Sequence, residues 1–322
     1  MKIFSKVMAL LLCAAMLCAC LVSCSSSPTA LTIGTYDVSY DMLRYFVKNY
    51  MNGYNDITED HFKVDPELQE QLENNVISSL TELAAYYQLA KKFSLKLDSD
   101  DKTAINAQIK EMIASYNSKE EYQEALDQNF VTEDVLREIL ELEILCDKLY
   151  DHLTLYSQEI VWDVEKIDAD FVETFYSAEH LMIYYSDADA EEKLSFANSV
   201  LSQMKNGTYT MQQIYDKYAT EYGVKIVYND YKAFTYHEMN QDFEDAVIGL
   251  EIGEYSEVKD LNSAYQIILR KDLDMDYYEQ NYNTVEGQWL AREFFEYVES
   301  YSKDLGVEWK KKYKDIKFWE MD

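Results

Sequence analysis

Apolar and polar positions follow two different periods along this chain, and the points where the period changes divide it. A loose alternation over Leu31-Thr32-Ile33-Gly34-Thr35-Tyr36-Asp37-Val38, with a glycine inside it, predicts a short hairpin. From Ser39 to about residue 176 the spacing is helical. Ser39 can cap a helix running to about Tyr50. Asp65 caps the next, with Pro66 in its first turn and Leu68, Leu72, Val76, Leu80, Leu83 and Tyr87 in one stripe. Asp98 and Ser99 open a third helix, which carries Ile105, Ile109 and Ile113. Ser118 and Glu121 form a capping box for a fourth. Thr132 caps a long fifth, with Val135, Ile139, Leu142, Cys146, Leu149 and Leu153 inward.

Near residue 179 the pattern changes. Glu179 to Tyr185 reads as a strand. A helix follows with Ala190, Leu194, Ala197, Leu201 and Met204 on one face, stopped at Asn206-Gly207. Thr210 and Gln213 box another, closed by Gly223. Lys225–Tyr228 reads as a strand and Asn240–Leu250 as a helix capped by Asn240. Tyr255–Val258 and Ala264–Arg270 read as two more strands. The order β-α-α-β-α-β-β is that of an α+β module. After Asp276 the chain is helical again to about Lys303.

The first residues carry a different signal. Lys2 and Lys6 precede an apolar run from Val7 to Val22, too short to span a membrane convincingly, and the run ends Leu21-Val22-Ser23-Cys24. That ending looks like a bacterial lipobox, in which the cysteine is acylated and becomes the new N-terminus; Leu17-Cys18-Ala19-Cys20 is a weaker second candidate. Residues 1–23 are then a lipoprotein signal peptide and 24–30 a tether, with lipidation at Cys24. The expected location is extracytoplasmic, lipid-anchored to the cell membrane.

Charge and cysteine count narrow the partners. The 322 residues carry a net charge of −31, and loss of Lys2 and Lys6 makes the remainder two charges more negative. Such a chain is repelled by nucleic acid and by anionic lipid headgroups, so both are discounted as partners. No Asp-x-Asp-x-Asp-Gly loop or zinc spacing occurs among the carboxylates and the four histidines, so no metal and no cofactor is expected. Once the leader is gone, Cys146 is the one cysteine besides Cys24; inside an apolar stripe it reads as a small buried hydrophobe. The 29 tyrosines either fill cores or offer an adaptable apolar surface for unfolded polypeptide, and composition does not choose between these.

The module near residue 179 resembles a known family. His180-Leu181-Met182-Ile183 is similar to the opening strand of parvulin-type peptidyl-prolyl isomerases. Phe234, Met239 and Phe243, within Phe-Thr-Tyr-His-Glu-Met-Asn-Gln-Asp-Phe-Glu-Asp-Ala, resemble that family's Phe-x-x-Gly-x-Met-x-x-x-Phe-Glu-x-Ala. Leu250-x-x-Gly253-Glu254-x-Ser256 and Ala264–Arg270 resemble its later motifs. The helical flanks resemble, in pattern only, those of extracytoplasmic foldases of the PrsA and SurA type. The resemblance implies a proline pocket formed by Phe234, Met239 and Phe243, with His180 as one half of a polar cluster beside the imide. The family's second histidine falls on Gln266, its glycine two residues earlier on Ala264, and the Ser/Thr supporting the histidine pair on Leu261. Glu221-Tyr222-Gly223-Val224 replaces its Ser- and Gly-rich loop elements, and the glycine before the methionine gives way to His237-Glu238.

The fold expectation is therefore α+β. A mostly helical chaperone lobe is built from residues 31–177 and 272–322, interrupted by a parvulin-like domain at 178–271. The functional expectation is a folding factor that binds unfolded or newly exported polypeptides, with an isomerase site whose polar cluster is depleted. A fully active isomerase is the alternative, and a solute-binding lipoprotein a weaker one. The sequence leaves a homodimer through the helical lobe open.

Overall fold

The computed structural model describes residues 27–53, 58–157, 159–186, 188–220, 225–261 and 264–321. Cys24, the Glu221–Val224 loop and Gly223 lie outside the described residues. The chain separates into two compact units: the residues up to Ile160 with those from Glu296 onward, and Val161–Phe295.

In the first unit, strands β1 (Thr29–Ile33) and β2 (Tyr36–Ser39) form the expected hairpin, and β7 (Val307–Trp309) adds to β1, giving an antiparallel sheet of order β2-β1-β7. Helix α1 (Tyr40–Gly53) follows, with Ser39 Oγ accepting from Met42 N at 3.1 Å. A short α2 (Glu59–Val64) precedes α3 (Pro66–Lys92). Asp65 caps α3 through the N–H groups of Glu67 and Leu68, and Leu72, Val76, Leu80 and Leu83 are buried on the stripe that the sequence marks. Then come α4 (Ser99–Ala114), α5 (Lys119–Gln128) and α6 (Glu133–Asp151), capped by Asp98, Ser118 and Thr132. Backbone and lysine contacts hold the Asp98 carboxyl down at about 2. The Glu121 carboxylate reaches back to Asn117 N rather than to the cap residue's own N–H. Cys146 is buried and free, and burial pushes its thiol up. Leu31, Ile33, Val38, Leu43, Leu80 and Ile139 lie in one core with Phe318 and Met321 of the C-terminal segment. This unit is thus built from both chain ends.

The second unit opens with α7 (Val164–Thr174), which runs straight into β3 (Phe175–Tyr184). Helices α8 (Ala190–Lys205) and α9 (Met211–Tyr218) follow; Gly207, at φ +75°, turns the chain after α8, and the Thr210–Gln213 box starts α9. Then come β4 (Lys225–Thr235), α10 (Gln241–Ile248), β5 (Lys259–Leu261) and β6 (Ala264–Lys271). The sheet order is β4-β3-β6-β5, antiparallel throughout, so the module has the expected β-α-α-β-α-β-β order. The alternating parallel βα lobes of a hinge-closing solute binder do not occur among the described residues. Helix α11 (Met275–Gln280) and the part of α12 (Tyr282–Ser302) up to Phe295 close the unit.

Three strands differ from expectation, β3 by starting at Phe175, four residues before Glu179. β4 continues past Tyr228 to Thr235. The polar run Asn229-Asp230-Tyr231-Lys232 is an edge strand that pairs with Ala178–His180. The opposed carboxylates of Glu179 and Asp230 would repel; Lys271 contacts both, at 3.0 and 3.3 Å. Tyr255–Val258 is not a strand. It runs beside β6 with one bridge, Tyr255 to Leu269, because the Ser256 hydroxyl takes the N–H of Ile268 and interrupts the ladder; the strand forms at Lys259–Leu261 instead.

The second unit extends beyond the 178–271 module at both ends. Phe171 of α7 stacks on Tyr278 at 4.3 Å, and Trp289 and Phe294 of α12 are buried. Arg292, 4% exposed, pairs with Asp170 at 2.7 Å, and the same carboxylate accepts the Trp289 indole N–H. A fragment spanning 161–295 should therefore melt cooperatively, and one cut to 178–271 should melt about 5 °C or more lower. Calorimetry of the two fragments checks this; equal midpoints would make α7 and α12 dispensable to the module.

Candidate functional site

Alternation along β3 sends successive side chains to opposite faces of the sheet. Leu181 and Ile183, with Tyr265 and Ile267 of β6, face the α8–α9 side and pack there with Ala197, Leu201 and Ile214. Ala178 and His180 face α10. On that side Ala178, Phe234, Phe243, Val247 and Ile268 form a second, smaller core, with Tyr176, Tyr231, Met239 and Leu250 half-buried at its margin. One extra residue in β4, opposite Tyr176–Ala178 of β3, lets Tyr231 and Phe234, three apart in sequence, both join it.

The register fixes the polar pair. His180 lies opposite Ile268, and Met182 opposite Gln266, so Gln266 is the diagonal neighbour of His180 on the same face. His180 Nε2 and Gln266 Oε1 are 2.8 Å apart, and Gln266 Nε2 donates to the Leu261 carbonyl at 3.0 Å. That second bond orients the amide. With its NH₂ turned to Leu261, the amide presents its oxygen to the imidazole, so Nε2 carries the ring proton and Nδ1 is the acceptor. Both side chains are more than nine-tenths buried. Burial pulls the His180 pKa below its ordinary value, and the Gln266 oxygen opposes that only partly. The imidazole is therefore neutral at pH 7.

An aromatic cluster stands beside the imidazole. The Phe243 ring centroid is 4.8 Å from that of His180, Tyr231 lies edge-on to Phe243 at 5.5 Å, and Phe234 is 5.7 Å from Phe243. The structure thus brings together His180, Gln266, Phe234, Phe243 and Met239. Their exposures separate them. Phe234 is 1% exposed and Phe243 6%, so they form a floor, whereas Met239 and Tyr231 are half-buried and present surface.

The loop that carries Met239 is held by a carboxylate. Glu244, 2% exposed, accepts the backbone N–H groups of His237 at 3.1 Å and Met239 at 2.7 Å. Burial raises its pKa, and these N–H groups counter the shift. His237 takes the glycine position of the family pattern and has φ +74°, a left-handed conformation that costs a side-chain-bearing residue roughly 1–2 kcal/mol. Glu238 accepts from Thr235 N at 2.8 Å and from the Gln288 amide of α12 at 2.9 Å. Sequence reasoning missed Tyr231, Glu244, Glu238 and Gln288. Glu244 had a signal in the Phe-Glu-x-Ala motif; Gln288 lies outside every motif and had none.

Two outcomes follow from this geometry. An NMR titration should place the His180 midpoint below about 6.5, and Gln266→Ala should lower it further by removing the one interaction that favours the imidazolium. The sign for stability is then set: as pH falls below the ordinary value the unfolded chain takes up a proton that the folded one refuses, so the module loses stability from neutral pH downward. Glu244→Ala should cost about 1–3 kcal/mol and speed amide exchange at His237 and Met239, because two buried N–H groups lose their acceptor. Unchanged exchange at those amides would remove Glu244 from this role.

Residues 180–272 match the family model for the rotamase, or PPIC-type PPIase, domain. Among solved structures, the chain is similar to the peptidylprolyl isomerase PrsA from Bacillus cereus, with 16% identity over 87% of this chain and 91% of that one and a TM-score of 0.28. It is also similar to the foldase protein PrsA from Streptococcus pneumoniae, at 16% identity, 88% and 91% coverage and a TM-score of 0.34. A SurA-like chaperone from Campylobacter jejuni matches at 12% identity, 88% and 100% coverage and a TM-score of 0.32. No curated protein matches the chain. The family match coincides with the sheet, the helices and the His180–Gln266 pair described above, and residues 180–272 of this chain form a domain of the PPIC-type peptidyl-prolyl isomerase family.

Proposed function

We propose that this chain is a lipid-anchored extracytoplasmic folding factor that binds unfolded or newly exported polypeptides. In this reading its PPIC-type domain holds proline-containing segments on the surface offered by Met239 and Tyr231, over the Phe234–Phe243 floor. It speeds their isomerisation weakly or not at all. The observation that carries the reading is the His180–Gln266 hydrogen bond at 2.8 Å, with Gln266 tied in turn to Leu261 O.

Rotation about an X–Pro bond is slow because the planar imide is conjugated, with a barrier of roughly 20 kcal/mol. A catalyst must bind the twisted imide more tightly than the planar one. Apolar burial does not distinguish the two; polar groups aimed at the carbonyl and nitrogen do. Here the imidazole proton is committed to an amide oxygen, the amide proton to a backbone carbonyl, and Leu261 stands where the family pattern has a hydroxyl. Binding through the apolar surface survives this arrangement; discrimination between the two imide geometries does not. The competing reading, a full isomerase, draws on the same bond, since Gln266 keeps a hydrogen-bonded pair with His180.

Anchoring rests on the sequence Leu21-Val22-Ser23-Cys24, and no helix among the described residues is long and apolar enough to cross a membrane. Cys24→Ser should move the protein from the membrane fraction to the soluble one, whereas Cys20→Ser should not; the reverse pattern would relocate the modified cysteine.

Activity separates the two readings. The mature chain should suppress aggregation of an unfolded client at near-stoichiometric ratio and give a proline-peptide isomerisation rate within a few-fold of the uncatalysed one. Gln266→His with Leu261→Thr should raise that rate. A wild-type rate several orders of magnitude above background, abolished by His180→Ala, would establish the isomerase instead.

A further inference from the structure

The acidic charge of this chain is not spread evenly. Five of the eight residues from Lys310 to Lys317 are lysines (Lys310, Lys311, Lys312, Lys314 and Lys317), and the segment holds one carboxylate, Asp315. All five lysines are exposed. The segment is not a frayed tail. Lys310 N donates to Ala30 O at 2.9 Å, Tyr313 is buried and stacks on Tyr40 at 5.4 Å, and Phe318 is buried in the first unit's core.

Its charges are only partly met. Lys310 Nζ reaches Thr32 Oγ1 at 2.7 Å and Asp37 at 3.7 Å, and Lys317 pairs with Glu320 at 2.7 Å. Lys312 Nζ contacts the hydroxyl of its neighbour Tyr313. Lys311, Lys312 and Lys314 make no ion pair with a carboxylate among the described residues. Lysines on an edge strand also guard it against pairing with other chains. That accounts for Lys310, next to the three-residue β7, but not for Lys311, Lys312 and Lys314 beyond the strand.

Position decides what the lysines face. Ala30 lies six residues after Cys24, so at most about 20 Å of extended chain separates the two. We propose that the Lys310–Lys317 strip is a docking surface for the anionic phospholipid headgroups of the membrane. It holds this edge of the first unit on the bilayer while the acidic remainder is repelled from it. The proposal rests on Cys24 as the point of attachment. The net charge still excludes an anionic surface as a partner for the molecule as a whole, but not for this edge, because headgroup attraction acts over about 10 Å at ordinary salt.

The test supplies the anchor chemically, so that it does not depend on acylation in the cell. The mature chain is coupled through the Cys24 thiol to a maleimide lipid in vesicles, Cys146 being buried and out of reach. Lysine acetylation is then read residue by residue by mass spectrometry. On vesicles containing phosphatidylglycerol, labelling of Lys311, Lys312 and Lys314 should fall by roughly threefold or more relative to pure phosphatidylcholine. It should recover at about 0.5 M salt, and labelling of the exposed Lys102 and Lys110, which lie outside the strip, should not change. In a variant carrying K311E and K312E, Lys314 should label equally on both vesicles. Equal labelling of the wild type on both lipids would overturn the proposal, as would a salt-insensitive loss on both, which reports tethering alone. Failure of Cys24→Ser to release the protein in cells would instead remove the anchor.

Discussion

The candidate site depends on one constraint, the double pairing of β3. This strand lies between β4 and β6, and both ladders are antiparallel with a fixed register. Because side chains alternate, a slip of one residue would send His180 into the α8–α9 core and bring Leu181 to the site. The apolar residues on both faces resist that slip. Leu181 and Ile183 are fully buried on one side and Ala178 on the other, and burying each large aliphatic side chain contributes about 1.5–3 kcal/mol. The distance between His180 and Gln266 is therefore set by packing, not by the strength of the bond between them.

The second unit also buries polar groups, and several of them meet partners within it. Glu244 takes two backbone N–H groups and so fixes the turn around His237, in a conformation that glycine would adopt without strain. Arg292 meets Asp170, and Gln288 ties Glu238 to α12. Removing one partner from such a pair leaves a buried group unpaired, which costs more than the bond itself contributes. The residues around the family-matched segment thus serve it. α7 leads directly into β3, and α12 holds the loop that carries Met239.

Most helices of the chain were legible because their signals are local. Asp65, Asp98, Ser118, Thr132, Thr210 and Asn240 all cap helices where the sequence places them, since a cap needs only a side chain and the next few N–H groups. What was not legible depends on distant partners. The polar half of β4 looks like a loop until Lys271, far along the chain, offsets Glu179 and Asp230. Tyr255–Val258 has the composition of a strand, but Ser256 spends its hydroxyl on the ladder. β7 is three residues long and exists because β1 offers it an edge. At the site, the family resemblance named His180, Gln266, Phe234, Met239 and Phe243. It did not find Tyr231, which reaches the cluster through an edge strand whose extent the sequence concealed, nor Gln288, which acts across α12.

The central claim is that the domain holds proline segments without discriminating the twisted imide from the planar one. Two-dimensional exchange NMR of a proline peptide, with the protein at substoichiometric amount, measures both halves at once. The account expects concentration-dependent shifts at Tyr231, Met239 and Phe243, with cis–trans exchange cross-peaks no stronger than in the free peptide. Strong exchange cross-peaks from wild type that vanish in His180→Ala would contradict it.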